Sequence, residues 1–189
     1  MAETPSTRLL PLGSRAPEFE LPDAQGRSFT LDDVRGARGL MVMFVCNHCP
    51  FVVHLADALA AFAREAEALG VGVVAINAND VDKYPADAPD KMPAFATQHG
   101  WTFPYLWDSD QSVAKSYVAA CTPDFYLFDG ELKLVYCGQF DASRPRNSEP
   151  VTGSDLREAM RRMLAGEAAL ENQRPSTGCN IKWKPGNEP

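Results

Sequence analysis

The sequence predicts an α/β domain: a mixed central sheet flanked by helices, with an added N-terminal β-hairpin and a C-terminal tail. Three observations carry this. Continuous apolar runs at 40–45 and 71–76 have strand length and lack alternation, as buried central strands do. The stretch between them is amphipathic at helical period, the signature of a crossover helix. Further on, Asp129-Gly130 separates two apolar runs, a strong signal for an antiparallel hairpin that closes the chain.

The elements follow in order. Residues 19–21 and 28–31 flank Asp23-Ala24-Gln25-Gly26 and read as a small hairpin. After the strand at 40–45, Val52, Leu55, Leu59, Phe62, Ala66 and Leu69 step by three and four as a core-facing stripe, and Gly70 ends the helix. The strand at 71–76 is followed by a shorter helix at 89–99 with Gly100 just after it, then a strand at 103–107. Asp108-x-x-Gln111 reads as a capping box for a helix to about Val118. The hairpin takes 125–128 and 132–136, and Ser154 caps a last helix bearing Leu156, Met160, Met163 and Leu164. The expected organisation is an arm at 1–18, one domain at 19–171 and a Pro/Gly-punctuated tail at 172–189. In that tail Ile181 and Trp183 alternate with Lys182 and Lys184, which predicts that Trp183 docks on the domain.

Bulk properties narrow the function. The chain of 189 residues has room for one substantial core. Its net charge of −7, with no basic stripe, argues against nucleic acid and anionic membrane surfaces as partners. No apolar run approaches the ~20 residues of a membrane span, and the first residues lack a signal-peptide pattern, so a cytoplasmic protein is expected. Five cysteines, an odd number at irregular spacing, argue for a few working thiols among inert ones rather than a disulfide framework.

The chemistry concentrates in Val45-Cys46-Asn47-His48-Cys49-Pro50-Phe51. Cysteines three apart at the start of a helix have Cα atoms roughly 5–6 Å apart, inside the disulfide window. Where a strand ends and a helix begins, free N–H groups and the helix dipole stabilise a thiolate, and thiols in CxxC sites fall to pKa values of ~3.5–7.5. A protonated His48 between the sulfurs lowers them further. Cys46, placed at the cap, is expected to be exposed and to attack, and Cys49, a turn inside, to resolve the mixed disulfide. Two other uses of the pair stay open. A zinc site needs about four ligands, and His54, His99 and Cys121 would have to converge by tertiary structure alone; an inert structural pair is the other. Cys137, within an apolar strand, reads as a small buried hydrophobe. Asn79 and Asp80 read first as turn residues.

A strand, then Cys46-x-x-Cys49 on a helix, then a strand, with Thr122-Pro123 leading into a closing hairpin, resembles the thioredoxin superfamily. The segment from Gly13 to Phe19 resembles its AhpC/TSA–redoxin branch. "CNHCPFV", together with the run from Gly178 to Lys184, is similar to a peroxiredoxin-like group of bacterial redoxins. The resemblance implies a thioredoxin fold over residues 10–165, a cis Pro123 packed against the active-site sulfurs, and a Thr122 backbone that hydrogen-bonds an extended substrate. Where peroxiredoxins carry the proline and threonine of PxxxTxxC, this chain has Gly39 and Met43. Where thioredoxin has its buried aspartate, it has Leu40, and His54 replaces the helix-kinking proline. His48 or the loop from Asn77 to Asp80 is left as the substitute for the missing proton acceptor.

Together these readings predict a thiol–disulfide oxidoreductase cycling Cys46 and Cys49, with His48 assisting and with Asn47, Thr122 and Pro123 contacting substrate. No cofactor and no metal is implied. The expected partners are a disulfide-bearing protein or small molecule and an upstream dithiol reductant. A thiol peroxidase using Cys46 and a metal-binding thiolate module are the alternatives. Cys179, just upstream of Trp183, is a candidate third thiol.

Overall fold

The computed structural model describes residues 3–188. Its centre is the strand β4 (Gly39–Phe44), whose residues are all buried. Its alternate side chains divide between two cores. Met41 and Met43 join the cluster under helix α2 (Pro50–Ala68), while Leu40, Val42 and Phe44 join the opposite cluster with Tyr117, Tyr126 and Phe128. Period-two alternation in a strand covered on both faces requires this division.

Around β4 the sheet is mixed, as the sequence predicts. The four elements before it are the short strand β1 (Thr4–Pro5), the hairpin β2 (Glu20–Pro22) and β3 (Ser28–Thr30), and the single turn α1 (Leu31–Val34). Strand β5 (Val71–Asn77) returns beside β4 through α2, joined where the Val45 N–H donates to Ile76 O at 2.9 Å. After α3 (Met92–Gln98), strand β6 (Tyr105–Trp107) pairs with β5 in parallel. Helix α4 (Ser112–Ser116) and the two-residue strand β7 (Cys121–Thr122) lead to β8 (Asp124–Asp129). On the other side of β4, β8 pairs antiparallel with it in the register Met43 opposite Phe125, and β9 (Leu134–Gly138) pairs antiparallel with β8. Helix α5 (Ser154–Leu164) packs over β8 and β9. No helix among the described residues is long and apolar enough to cross a membrane.

Three boundaries differ from the sequence reading. Leu69 is exposed at the C-terminal cap of α2 and lies off the stripe, because Gly70 at φ +83° already turns the chain away. Asp108 and Gln111 form no capping box. Asp108 instead accepts from the Val113 and Ala114 N–H groups at 3.3 and 2.7 Å, while the buried Gln111 amide donates to Ala78 O and Lys182 O at 2.6 and 2.9 Å. Ser154 lies inside α5, whose cap is Gly153, and the Thr152 and Gly153 N–H groups there are taken by Asp141 Oδ2.

The segment after α5 is built into the fold. Strand β10 (Thr177–Asn180) lies between β1 and β7, antiparallel to both. Gly178 permits this seat, since a Cβ there would stand 2.0 Å from Thr122 O. Beyond it Ile181 is buried and Trp183 is half-buried against the core that holds Phe44 and Tyr117. Both apolar residues join that one core, as the alternation predicts, but Lys182 between them is buried as well, its N–H donating to Asn79 Oδ1 at 2.9 Å and its ammonium to Asn180 Oδ1 at 2.7 Å. Trp183 therefore docks only in part, with Ile181 as the anchor. Gly178→Ala should lower the stability of the fold by about 1–3 kcal/mol through forced displacement of β10, read as a shift in the urea midpoint; an unchanged midpoint would show that the strand is not held there.

Candidate active site

The Cys46–Cys49 turn lies between the end of β4 and the start of α2. Pro50 occupies the first turn of α2, which fixes where the helix begins and makes Cys49, not Cys46, the N-cap residue. Both sulfurs are free, and both residues are buried, Cys46 at 1% exposure and Cys49 at 0%. The expectation of an exposed Cys46 at the cap is corrected on both counts: the helix starts one turn later, and β7 covers the pair. The Thr122–Pro123 peptide is cis. Thr122 faces both sulfurs, its hydroxyl 3.5 Å from Cys46 Sγ and its carbonyl accepting from Cys49 Sγ at 3.1 Å.

Below the turn lies Asp87, 0% exposed, in a single 3₁₀ turn (Pro85–Asp87) between prolines. Its Oδ1 accepts from the Asn47 and His48 N–H groups at 2.8 and 3.1 Å. Its Oδ2 accepts from the Asn79 side-chain amide at 2.8 Å and lies 2.6 Å from His48 Nδ1. The Asn77 amide donates to the Asp87 carbonyl at 2.7 Å. Four donors on one carboxylate occupy its lone pairs, so Asp87 anchors the CxxC turn and is a closed acceptor. His48 Nδ1 is also the ring nitrogen nearest Cys46, at 4.0 Å. Because one nitrogen serves both contacts, His48 cannot relay a proton from Cys46 to Asp87 in the manner of a triad, which needs two. Its ring stacks on Tyr84 with centroids 5.7 Å apart and 6° between planes.

The proton sits unequally on the two sulfurs. The Cys49 thiol is pulled down to about 5, first by a hydrogen bond from Cys46, against the effect of burial, with further help from Cys179, Thr122 and the Val52 N–H at the helix start. Cys46 is raised well above its ordinary value, first by that same hydrogen bond, then by burial, then by the negative charge of Asp87. The bias is thus toward the proton on Cys46 and the charge on Cys49, the reverse of the assignment expected from sequence, and a protonated Cys49 donates to the Thr122 carbonyl instead. The hydrogen bond from Cys46 leads in setting the direction, and the Val52 N–H at the start of α2 adds to it.

The remaining sequence candidates are placed as follows. The Asn47 amide is used internally, donating to Ala86 O at 3.1 Å and accepting from Tyr105 OH at 3.0 Å. The backbone edge of Thr122, expected to receive substrate, is occupied by β10, with Cys179 opposite Thr122. His54 pairs with Ser143 at 2.8 Å and His99 with Asp57 at 2.7 Å, so neither approaches the sulfurs. Asn79 joins Asp87 to Lys182, while Asp80 serves as a turn residue whose Oδ1 accepts from the Asp82 N–H. Cys46, His48 and Asp87 do offer sulfur, nitrogen and oxygen within 4.8 Å of one another. Three such atoms are one short of a closed structural zinc site. Asp87 was missed in the sequence because nothing in Tyr84-Pro85-Ala86-Asp87-Ala88-Pro89 marks a buried acid. The two prolines were the available signal of a rigid segment.

A buried strand, a CxxC turn at a helix start and a cis-proline loop facing it, on a mixed sheet, define a thioredoxin-like redox protein. A secreted Mycobacterium tuberculosis disulfide oxidoreductase shares this fold at a TM-score of 0.58 and 16% identity, over 76% of this chain and 94% of that one. Residues 12–137 match the AhpC/TSA family, and the chain belongs to it. A conserved protein of Geobacillus kaustophilus of known crystal structure is 48% identical at a TM-score of 0.94, over 98% of both chains. Thiol-disulfide oxidoreductase ResA of the same species is 30% identical over 132 residues, 67% of this chain and 70% of its own. Peroxiredoxin Bcp of Escherichia coli is 30% identical over 108 residues, 57% of this chain and 64% of its own. The relatives are thus oxidoreductases of both names.

Thiolate absorbance at 240 nm should rise in a step centred at about pH 5, with Cys49 charged above it and neutral below. Removing the hydrogen-bond donor in Cys46→Ala should move that step upward. A step that stays put would assign the thiolate to some other cause. Asp87→Asn removes a negative charge beside Cys46 and should lower the pH at which the second thiol ionises.

Proposed function

We propose that the protein is a thiol–disulfide oxidoreductase that cycles Cys46 and Cys49 between dithiol and disulfide. The observation that supports this most directly is geometric: two free sulfurs three residues apart at the start of α2, both facing Thr122 beside the cis-proline, with the proton biased toward Cys46 and the charge toward Cys49. Such a pair carries its own base. Cys46 attacks one sulfur of a substrate disulfide and passes its proton to Cys49, and one substrate sulfur leaves as thiolate. Cys49 then attacks the Cys46 sulfur of the mixed disulfide, and its proton goes with the second substrate thiol. The protein ends as a disulfide, and an upstream dithiol reductant returns it to the dithiol. Cys46 takes the first role because it is the sulfur beside His48, whose ring stacks on the exposed Tyr84.

A peroxidase reading is supported by the family and by the Thr122 hydroxyl 3.5 Å from Cys46, which stands in for the hydroxyl that Met43 cannot supply. Against it weighs the strand before the cysteines, where Gly39 and Met43 stand at the places of the peroxiredoxin proline and threonine and Met43 is fully buried.

Turnover of a small disulfide should fall by orders of magnitude in Cys46→Ser and in Cys49→Ser, and Cys49→Ser should accumulate mixed disulfides that mass spectrometry places on Cys46. Full turnover in either variant would end the dithiol reading. In stopped flow, hydrogen peroxide should oxidise the wild-type protein no faster than an ordinary thiolate. A rate several decades faster would favour the peroxidase.

A further inference from the structure

A third sulfur stands in this centre. Cys179 lies opposite Thr122 in the antiparallel register of β10 and β7, and the Ile181 N–H donates to Ala120 O at 3.1 Å two residues further along the same ladder. Residues directly opposite in such a pair project to the same face with Cβ atoms about 4.5–5.5 Å apart. The Thr122 side chain on that face is the one 3.5 Å from Cys46 Sγ, and the Thr122 carbonyl is 3.1 Å from Cys49 Sγ. Cys46, Cys49 and Cys179 consequently share one buried cluster. The other two cysteines do not. Cys121 is the next residue along β7 and faces the other way, its thiol donating to Pro123 O at 3.5 Å, and Cys137 belongs to the core on the opposite side of the sheet.

The approach is held from several directions. Gly178 lets β10 come close to Thr122, β1 pairs along the far edge of β10, and Asn79 ties the backbone of Lys182 to the Asp87 carboxylate under the CxxC turn. The strand edge that the sequence reading gave to a substrate is therefore taken by the chain's own Cys179, placed where a substrate cysteine would stand.

We propose that Cys179 is a third redox thiol: the Cys46–Cys49 disulfide exchanges with it to give a Cys49–Cys179 disulfide and a free Cys46 thiol. This rests on the reading of Cys46 and Cys49 as a redox pair. The exchange needs no further oxidant. The Cys179 sulfur attacks the Cys49 sulfur, the Cys46–Cys49 bond breaks, the electron pair of that bond goes to the Cys46 sulfur, and the proton from Cys179 follows it there. In the dithiol state Cys179 is a donor and not a nucleophile, because burial and the hydrogen bond it gives to Cys49 push its thiol up to about 12. Disulfide formation removes the thiolate that receives that hydrogen bond, and burial and the negative charge of Asp87 favour the released proton on the leaving Cys46. The exchange also gives the disulfide a second side: Cys179 lines a small cleft of about 90 Å³ with Pro50, Phe51, Arg144, Pro145 and Arg146, which Thr122 does not line.

The test is disulfide mapping of the full chain. The wild-type protein and Cys46→Ser are treated with diamide, which takes two electrons and two protons from a dithiol; remaining thiols are alkylated in acid, and linked peptides are identified without reduction. Both the Cys46–Cys49 and the Cys49–Cys179 linkages are expected in the wild type. In Cys46→Ser, which can form only the second, the Cys49–Cys179 fraction should rise several-fold. A folded Cys46→Ser protein that leaves Cys49 and Cys179 both alkylated would overturn the proposal. If that variant does not fold, the wild type decides: Cys46–Cys49 with no linkage to Cys179 overturns the proposal and leaves the oxidoreductase reading intact. A wild type that forms no Cys46–Cys49 linkage overturns that reading and the exchange with it.

Discussion

The arrangement depends on one buried carboxylate. Asp87 takes two backbone N–H groups of the CxxC turn, the imidazole of His48 and the amide of Asn79. A buried charge is stable only when its hydrogen-bonding capacity is met, and here it is met by the parts that must be positioned. Asn79 extends the same network to the Lys182 backbone, and Gln111 grips that segment again. The loop after β4, the loop after β5 and the segment after β10 are thus organised by one group, although Asn47 in the first and Lys182 in the last are 135 residues apart.

This network places negative charge under the sulfurs, which at first sight opposes thiolate formation. The opposition falls on Cys46, while Cys49 lies at the start of α2 and takes the benefit of the helix. The result is polarisation of the pair. A dithiol in which one sulfur holds the proton and the other the charge can transfer the proton internally as each sulfur changes role, without a separate acid or base. That suits a site in which the residue expected to move protons, His48, is tied by the nitrogen it would need.

Much of the architecture was legible in the sequence because strong periodicities carried it. The apolar runs that became β4 and β5, the stripe of α2 and the Thr122-Pro123 hairpin follow from patterns that few folds satisfy. The site was legible only where it is local. Cys46 and Cys49 announce themselves by spacing, but which of them caps the helix turns on Pro50, which sets the first helical turn. Asp87, and the opposition of Cys179 to Thr122, depend on chain segments far apart in sequence, and no local pattern encodes them. Asp108 and Gln111 show the converse: a local capping pattern overridden because each side chain found backbone partners elsewhere.

The seating of β10 against β7 bears on what the sulfurs can meet. In the folded chain β10 closes the Thr122 edge, and the Lys182 backbone completes the Asn79 contacts. The shield over the sulfurs is thus supplied by residues 177–182 and not by the strand and helix that carry the cysteines. Loosening of that one segment, with the central sheet intact, would turn a shielded thiol pair into an open one.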